Sequence, residues 1–129
     1  MSKFALAVFL FAALTPSVAS ACSNLSLGNV GVKGTTSDGN LNHYQINGVV
    51  TNNGANQSSS TLQAVDVYKG PTKLDSKSVP PLRAGQSFTF TYVSTRSSDA
   101  GTGSSHLRFM LDAKNGSMCN ASTPVTVTF

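Results

Sequence analysis

The segment Ser87-Phe88-Thr89-Phe90-Thr91-Tyr92 is the part of this sequence that decides its fold. Aromatic residues alternate in it with residues that carry a hydroxyl group. Because successive side chains of a strand point to opposite faces, this period-two pattern predicts a strand with one buried face and one wet face. A second layer must then cover the buried face, since a single amphipathic strand cannot enclose a core.

Further short runs of β-branched and aromatic residues lie on both sides of this strand, separated by turn clusters. Gly34 to Asn40 is interpreted as a turn, and the polar stretch from Ser94 to Ser105 as a long exposed loop. The pattern predicts an all-β chain, a single antiparallel β-sandwich of about seven strands. The other six strands are expected at about Leu25 to Lys33, His43 to Thr51, Leu62 to Tyr68, Lys73 to Val79, His106 to Ala113 and Pro124 to Phe129.

The first 21 residues have the features of an export signal. Lys3 precedes an unbroken apolar run from Phe4 to Leu14, and Ala19-Ser20-Ala21 fits a small-x-small cleavage site. The apolar run is about half as long as a membrane-spanning helix. We expect residues 1–21 to be a signal peptide and residues 22–129 to be one secreted or periplasmic domain without a transmembrane segment.

Two cysteines, Cys22 and Cys119, precede the predicted first and last strands. An even count in an exported chain predicts a disulfide. If the two strands lie side by side and parallel, their starts meet at one end of the sandwich and the bridge needs little distortion. A second interpretation stays open, in which Cys22 is acylated as a bacterial lipoprotein anchor and the chain is held at the cell envelope, although Ala19 stands where lipoprotein signals usually carry Leu or Val.

The charge of the chain is mildly basic and dispersed. The formal net charge is +4, and removal of Lys3 with the signal lowers it to +3; the sequence contains five Asp and no Glu. No run of Lys or Arg occurs, so we expect no nucleic-acid partner. Four basic residues flank the predicted hairpin of the third and fourth strands, where Asp75 is the only opposing acid. They form a mild basic patch or a solvated edge: Lys69, Lys73, Lys77 and Arg83.

From Ile46 to Asn115 the sequence resembles the CARDB family, the cell adhesion related domain found in bacteria, whose members are immunoglobulin-like sandwiches. The motifs that carry the resemblance are Val49-Val50-Thr51-Asn52-Asn53-Gly54, Val65-Asp66-Val67-Tyr68-Lys69-Gly70, Val79 to Leu82, Ala84-Gly85-Gln86-Ser87-Phe88-Thr89-Phe90 and Arg108-Phe109-Met110-Leu111-Asp112. Physically they look like turn devices. Positive φ is expected at Gly54 and Gly85, and Leu82 is expected in the core. The resemblance implies an extracellular or periplasmic adhesion or scaffold module that is not an enzyme.

No catalytic or cofactor constellation stands out in the sequence. The two histidines, His43 and His106, are expected at the surface, and neither a nucleophile elbow nor paired carboxylates are present. A blue-copper site needs a His after the late Cys, and none follows Cys119. We therefore expect no catalytic residues, no cofactor and no metal ligands.

These observations predict a non-enzymatic binding or adhesion module whose partner is a protein or a cell-envelope polymer. Its contacts are expected from the loop Gln57 to Ser60, from Ser94 to Ser105, or from an open sheet edge that accepts an added strand. Two alternatives stay open at this point: a secreted inhibitor of another enzyme, and a small metal-binding or hydrolytic periplasmic protein.

Overall fold

The β-branched and aromatic runs form seven strands in the computed structural model, which describes residues 24–98, 104–115 and 123–129. No helix that could cross a membrane is found among these residues. The predicted signal peptide, Cys22 and Cys119 lie outside them, so export and the disulfide stay predictions. The strands are β1 (Leu25–Asp38), β2 (Leu41–Asn52), β3 (Gln63–Lys69), β4 (Thr72–Val79), β5 (Ser87–Ser97), β6 (His106–Ala113) and β7 (Val125–Thr128).

The strands form two antiparallel sheets that pack face to face. One sheet has the order β1-β2-β5 and the other has the order β4-β3-β6-β7. This architecture confirms the predicted immunoglobulin-like antiparallel β-sandwich of seven strands. It differs from an antibody constant domain in the fourth strand, which here pairs with β3 instead of joining the sheet of β1 and β2.

The core lies between the sheets and is built by the predicted period-two faces. Along β5 the even-numbered residues are inward and the odd-numbered residues are exposed. The ring centroid of Phe109 on β6 is 5.9 Å from that of Phe90 and 6.2 Å from that of Tyr92, so aromatic contacts join the two sheets. The buried cluster consists of Leu25, Ile46, Val50, Val65, Val67, Val79, Leu82, Phe90, Leu107, Phe109, Leu111 and Val127.

Two expectations about the first strand were wrong. The run Gly34 to Asp38 is not a turn, because β1 continues through it in register with β2 and turns only at Gly39-Asn40. Nor does β1 lie beside β7 in one sheet, since β1 pairs with β2 and β7 pairs with β6. The tight turn after Asp38 explains both errors, because it folds β1 back against β2 so that the whole fourteen-residue strand belongs to the sheet of β2.

The predicted loop Ser94 to Ser105 is shorter than expected. β5 continues to Ser97, and the N–H group of Ser98 then donates to the carbonyl of Asn40 at 2.7 Å. Ser105 already pairs with Phe129 ahead of β6, whose bounds are those predicted. The residues between Ser98 and Ser104 lie outside the described ranges.

Candidate functional site

Three of the four sheet edges carry features that oppose the addition of another strand. β1 has two register irregularities against β2, and Asn29 in the first of them has a φ of 53°. β4 has a bulge between its pairs with Val67 and Tyr68, and it carries Lys73 and Lys77. β7 has only four residues. Bulges, lysines and short length are the usual protections of edge strands.

The fourth edge, β5, has none of these protections. Its register with β2 runs without a shift over eleven residue pairs, from Thr51–Ser87 to Leu41–Ser97. Its sequence contains no proline, and Arg96 is its single charged residue. Within the described residues, β5 pairs with β2 alone and forms the border of its sheet. It is therefore the long, regular edge of the sandwich.

The hydrogen-bond pattern shows which backbone groups face outward along this edge. The N–H group of Asn52 donates to Gln86 O at 3.0 Å, and that of Ser98 donates to Asn40 O at 2.7 Å. Both pairs continue the β2–β5 register, so the even-numbered residues of β5 exchange bonds with β2. The odd-numbered residues therefore direct their N–H and C=O groups away from β2. We call these groups of Ser87, Thr89, Thr91, Val93 and Thr95 the β5 edge.

The side chains that accompany the β5 edge favour pairing with an extended chain. Thr89, Thr91 and Thr95 are exposed on the outer face of the sheet, and Val93 is 53% exposed. Threonine and valine are residues with high strand propensity. An added strand would bury Val93 and satisfy the edge amides without displacing a backbone bond found among the described residues.

The predicted basic patch contains an acid that the sequence analysis missed. Asp66 on β3 lies between the inward Val65 and Val67, and its side chain is 2% exposed. It accepts a hydrogen bond from Ser76 Oγ at 2.6 Å and contacts the ammonium groups of Lys73 and Lys114 at 3.4 and 3.3 Å. These contacts tie β4 and the end of β6 to β3.

The electrostatics of this cluster favour its charged state. Burial by itself raises the pKa of Asp66, but hydrogen bonds from Ser76 and Lys114 and the Lys114 charge outweigh it, so the pKa is lowered below 3.8. The hydrogen bond from Lys114 to Asp112, at 2.7 Å, is the main reason why the pKa of Lys114 is raised, and the contacts with Asp66 raise it further. Lys77 pairs with Asp75 at 3.5 Å. Lys73 and Lys77 of the patch thus have carboxylate partners, and Asp75 is not the only opposing acid.

The family-like motifs that contain Asn52, Leu82 and Gly85 meet at one end of the sandwich, where they form a set of hydrogen bonds that we call the terminal clamp. The side chain of Asn52 is fully buried and donates to Ala55 O at 2.8 Å and to Leu82 O at 2.9 Å. Its Oδ1 accepts from the N–H of Gly54 at 2.9 Å. The same residue's carbonyl accepts from Gly85 N–H at 2.7 Å.

A pair of side-chain amides completes the terminal clamp. Gln57 and Gln63 exchange hydrogen bonds of 2.8 Å in both directions, and Gln57 Oε1 also accepts from the N–H of Leu82 at 2.9 Å. Leu82 is 1% exposed, as expected. Gly85 has the predicted positive φ, at 80°, whereas Gly54 does not, because the Asn52 side chain closes that turn without it.

The segment that carries these motifs also matches a known protein family. The family model described as CARDB matches residues 29–116. The chain belongs to the CARDB family. The match contains β2 to β6 and most of β1, and membership makes this chain an adhesion-related immunoglobulin-like module of a bacterial, non-catalytic family. No curated protein and no solved structure matches the chain.

The histidines of this CARDB domain lie on different sheets. His43 pairs with Thr95 in the β1-β2-β5 sheet, and His106 Nδ1 lies 2.9 Å from Thr128 Oγ1 in the other. Among the described residues, no group of three or more His, Cys, Asp or Glu side chains is placed to hold a metal ion. His106 Nε2 lies 3.3 Å from Ser104 Oγ, but in the described part of the chain neither histidine forms an ion pair with the carboxylate that a catalytic triad would require.

The other contact candidates are engaged within the domain. Gln57 belongs to the terminal clamp, and Ser60 O accepts from Asn115 Nδ2 at 2.9 Å, so the loop Gln57 to Ser60 is anchored at both ends. The ring of Tyr44 packs against Phe129 at 4.5 Å, and Arg108 lies over Tyr68 at 4.8 Å. Among the residues that the structure describes, the β5 edge is the candidate binding site that remains; residues 99–103 of the predicted loop Ser94 to Ser105 lie outside them.

Proposed function

We propose that this CARDB domain is an exported, non-enzymatic module that binds an extended polypeptide segment by adding it as a strand at the β5 edge. The observation that carries the proposal is the contrast between β5 and the other edges. β1, β4 and β7 are bulged, lysine-bearing or short, while β5 pairs regularly over its whole length. An unprotected edge is costly for a protein, because it invites aggregation, and its retention suggests use.

The chemistry of the edge selects the class of partner. Alternating donors and acceptors at strand spacing are matched by another polypeptide backbone, which supplies the same groups in the same order. Affinity then comes from main-chain hydrogen bonds, and specificity from side chains next to Thr89, Thr91 and Val93. A protein partner in the cell envelope therefore fits the site better than a glycan polymer, which lacks this repeat.

The location of the domain is part of the same proposal. The apolar run from Phe4 to Leu14 and the small residues at Ala19-Ser20-Ala21 support export. Secretion, release into the periplasm and anchoring through an acylated Cys22 all place the β5 edge among envelope proteins. An adhesion or scaffold role follows from this placement.

The test is capture of envelope proteins by immobilised variants of the processed domain. Thr91→Pro removes one outward N–H group from the β5 edge and leaves the backbone bonds with β2 intact; it also removes the exposed side-chain bond that Thr91 Oγ1 donates to Asn47 Oδ1 at 3.1 Å. Thr126→Pro is the matched control. Ser105 and Phe129 exchange backbone bonds, so in the same register the odd-numbered residues of β7 bond to β6 and the N–H group of Thr126 is directed outward from the β7 edge. We expect Thr91→Pro to abolish capture of a specific polypeptide that the wild type and Thr126→Pro retain; equal capture by all three would refute the proposal.

A further inference from the structure

The β5 edge is also complementary to itself when one copy is turned against another. We propose that a second copy of this chain occupies the edge, giving an antiparallel β5–β5 homodimer with its two-fold axis at Thr91. The inference rests on the proposed function, in that it names the polypeptide that binds the same site. A two-fold interface requires each residue of the patch to meet a partner from the same patch.

The outward groups of β5 satisfy this requirement. With the axis at Thr91, Thr91 faces its own counterpart, Thr89 faces Val93, and Ser87 faces Thr95. All five residues of the β5 edge are odd-numbered and all direct their backbone groups outward, so each of these pairs exchanges hydrogen bonds in the antiparallel pattern. No residue of the edge is left without a partner.

The side chains agree with this register on both faces of the sheet. On the outer face, the 53% exposed Val93 meets Thr89 of the second copy, a pairing of β-branched residues. On the inner face, Phe90 stands opposite Tyr92, and cross-strand aromatic pairs are favourable. Arg96, the single charged residue of β5, lies beyond the paired segment, with its guanidinium donating to Phe129 O at 3.2 Å. Lys77 of β4 lies 5.9 Å from the centroid of the Tyr92 ring, and its charge is paired with that of Asp75 at 3.5 Å.

The resulting assembly is a continuous six-stranded sheet that runs through two sandwiches. The β4-β3-β6-β7 sheets of both copies keep their outer faces exposed. A dimer of this kind presents two identical outer faces, so a partner with repeated sites would be bound with avidity. Both β5 edges are occupied in the dimer, so a strand from another protein would have to displace the second copy to bind there.

The experiment is sedimentation or light scattering of the processed chain over a range of concentrations, with Thr91→Pro and Thr126→Pro as the variants. We expect the wild type and Thr126→Pro to reach twice the monomer mass as concentration rises. Since each Thr91→Pro copy loses an interfacial donor, its dissociation constant should rise roughly tenfold or more. A wild type that stays monomeric throughout, or equal weakening by both variants, would overturn the dimer.

A cysteine at the axis tests the register even if the proline variant folds poorly. Thr91→Cys should form an interchain disulfide on mild oxidation, because directly opposed residues of antiparallel strands lie within disulfide reach. Thr89→Cys should not, since the two copies of residue 89 are offset by four residues along the strands. Linking by Thr89→Cys, or none by Thr91→Cys, would overturn this register. A monomeric wild type that captures an envelope polypeptide through Thr91 would refute the dimer and leave the proposed function standing.

Discussion

The side-chain amide of Asn52 donates to the main-chain carbonyl of Leu82 at 2.9 Å, across 30 residues of sequence. This bond joins the end of β2 to the segment that leads into β5. It is fully enclosed, since Asn52 is 0% exposed and Leu82 is 1% exposed. The family motifs that contain these two residues therefore help to position β5 within its sheet.

Substitution Asn52→Ala should destabilise the domain by about 2–4 kcal/mol, because several buried backbone groups lose their partner. The neighbouring Asn53→Ala is the matched control. Asn53 makes one exposed side-chain bond, to Ser26 Oγ at 3.1 Å, and its loss should cost at most about 0.5 kcal/mol. Urea unfolding of both variants checks the difference, and equal midpoints would show that the terminal clamp does not stabilise the fold.

Gly48 is predicted to be irreplaceable for steric reasons. It lies opposite Phe90, and a β-carbon at this position would overlap the Phe90 ring and lie 3.1 Å from Val30 Cγ2. We expect Gly48→Ala to destabilise by about 1–3 kcal/mol through overpacking. Gly34→Ala has open space around its added carbon and should be close to neutral. Thermal melting of the pair tests this, and a neutral Gly48→Ala would contradict the close approach.

Acidification should weaken the domain through Asp66. Because its pKa in the folded state is lowered below 3.8, its contribution is fully present above pH 3.8 and is lost as the pH falls towards the folded-state value. Asp66→Asn should be about 1–3 kcal/mol less stable than the wild type at pH 7. The gap should narrow below about pH 4. Denaturation at pH 7 and pH 3, with the exposed-pair variant Asp75→Asn as control, measures this; a gap that is constant with pH would contradict it.

The sequence predicts most of the fold because apolar and polar residues alternate clearly along the strands that line the core. The bounds of β6 are correct, and Leu107, Phe109 and Leu111 form the expected buried face. The extent of β1 could not be predicted, because Gly34 to Ser37 has a turn-like composition and is held as a strand by its pairing with β2. Tertiary pairing there overrides local propensity.

The binding site is less predictable than the fold. An open edge was expected, but which edge it is depends on the strand order, on the bulges of β1 and β4 and on the length of β7, and none of these is encoded in a local pattern. The burial of Asp66 was missed for a related reason: its outward position predicts exposure, and it is covered by Lys73 and Lys114 from other parts of the chain. No local signal could have found it, because the alternation of Val65, Asp66 and Val67 is that of a strand with an exposed outer face.

The predicted disulfide between Cys22 and Cys119 has a direct test. The described neighbours Asn24 and Asn115 both bond to the clamp end of the sandwich, to Asn52 and Leu62 respectively. We expect the intact mass of the processed protein to be lower than that of its reduced form by the two hydrogens lost on oxidation. Cys119→Ser should then cost roughly 2–5 kcal/mol. A mass increased by acyl chains would instead establish the lipid anchor at Cys22.

Residue-resolved amide hydrogen exchange along β5, in a sample dilute enough to be monomeric, tests the open edge most directly. We expect the exchange rates to alternate: fast exchange at Thr89, Thr91 and Val93, and slow exchange at Phe88, Phe90 and Tyr92, which bond to β2. Binding of a strand should then slow the fast set alone. Uniformly slow exchange in the monomer would mean that the edge is already covered, and would contradict the account.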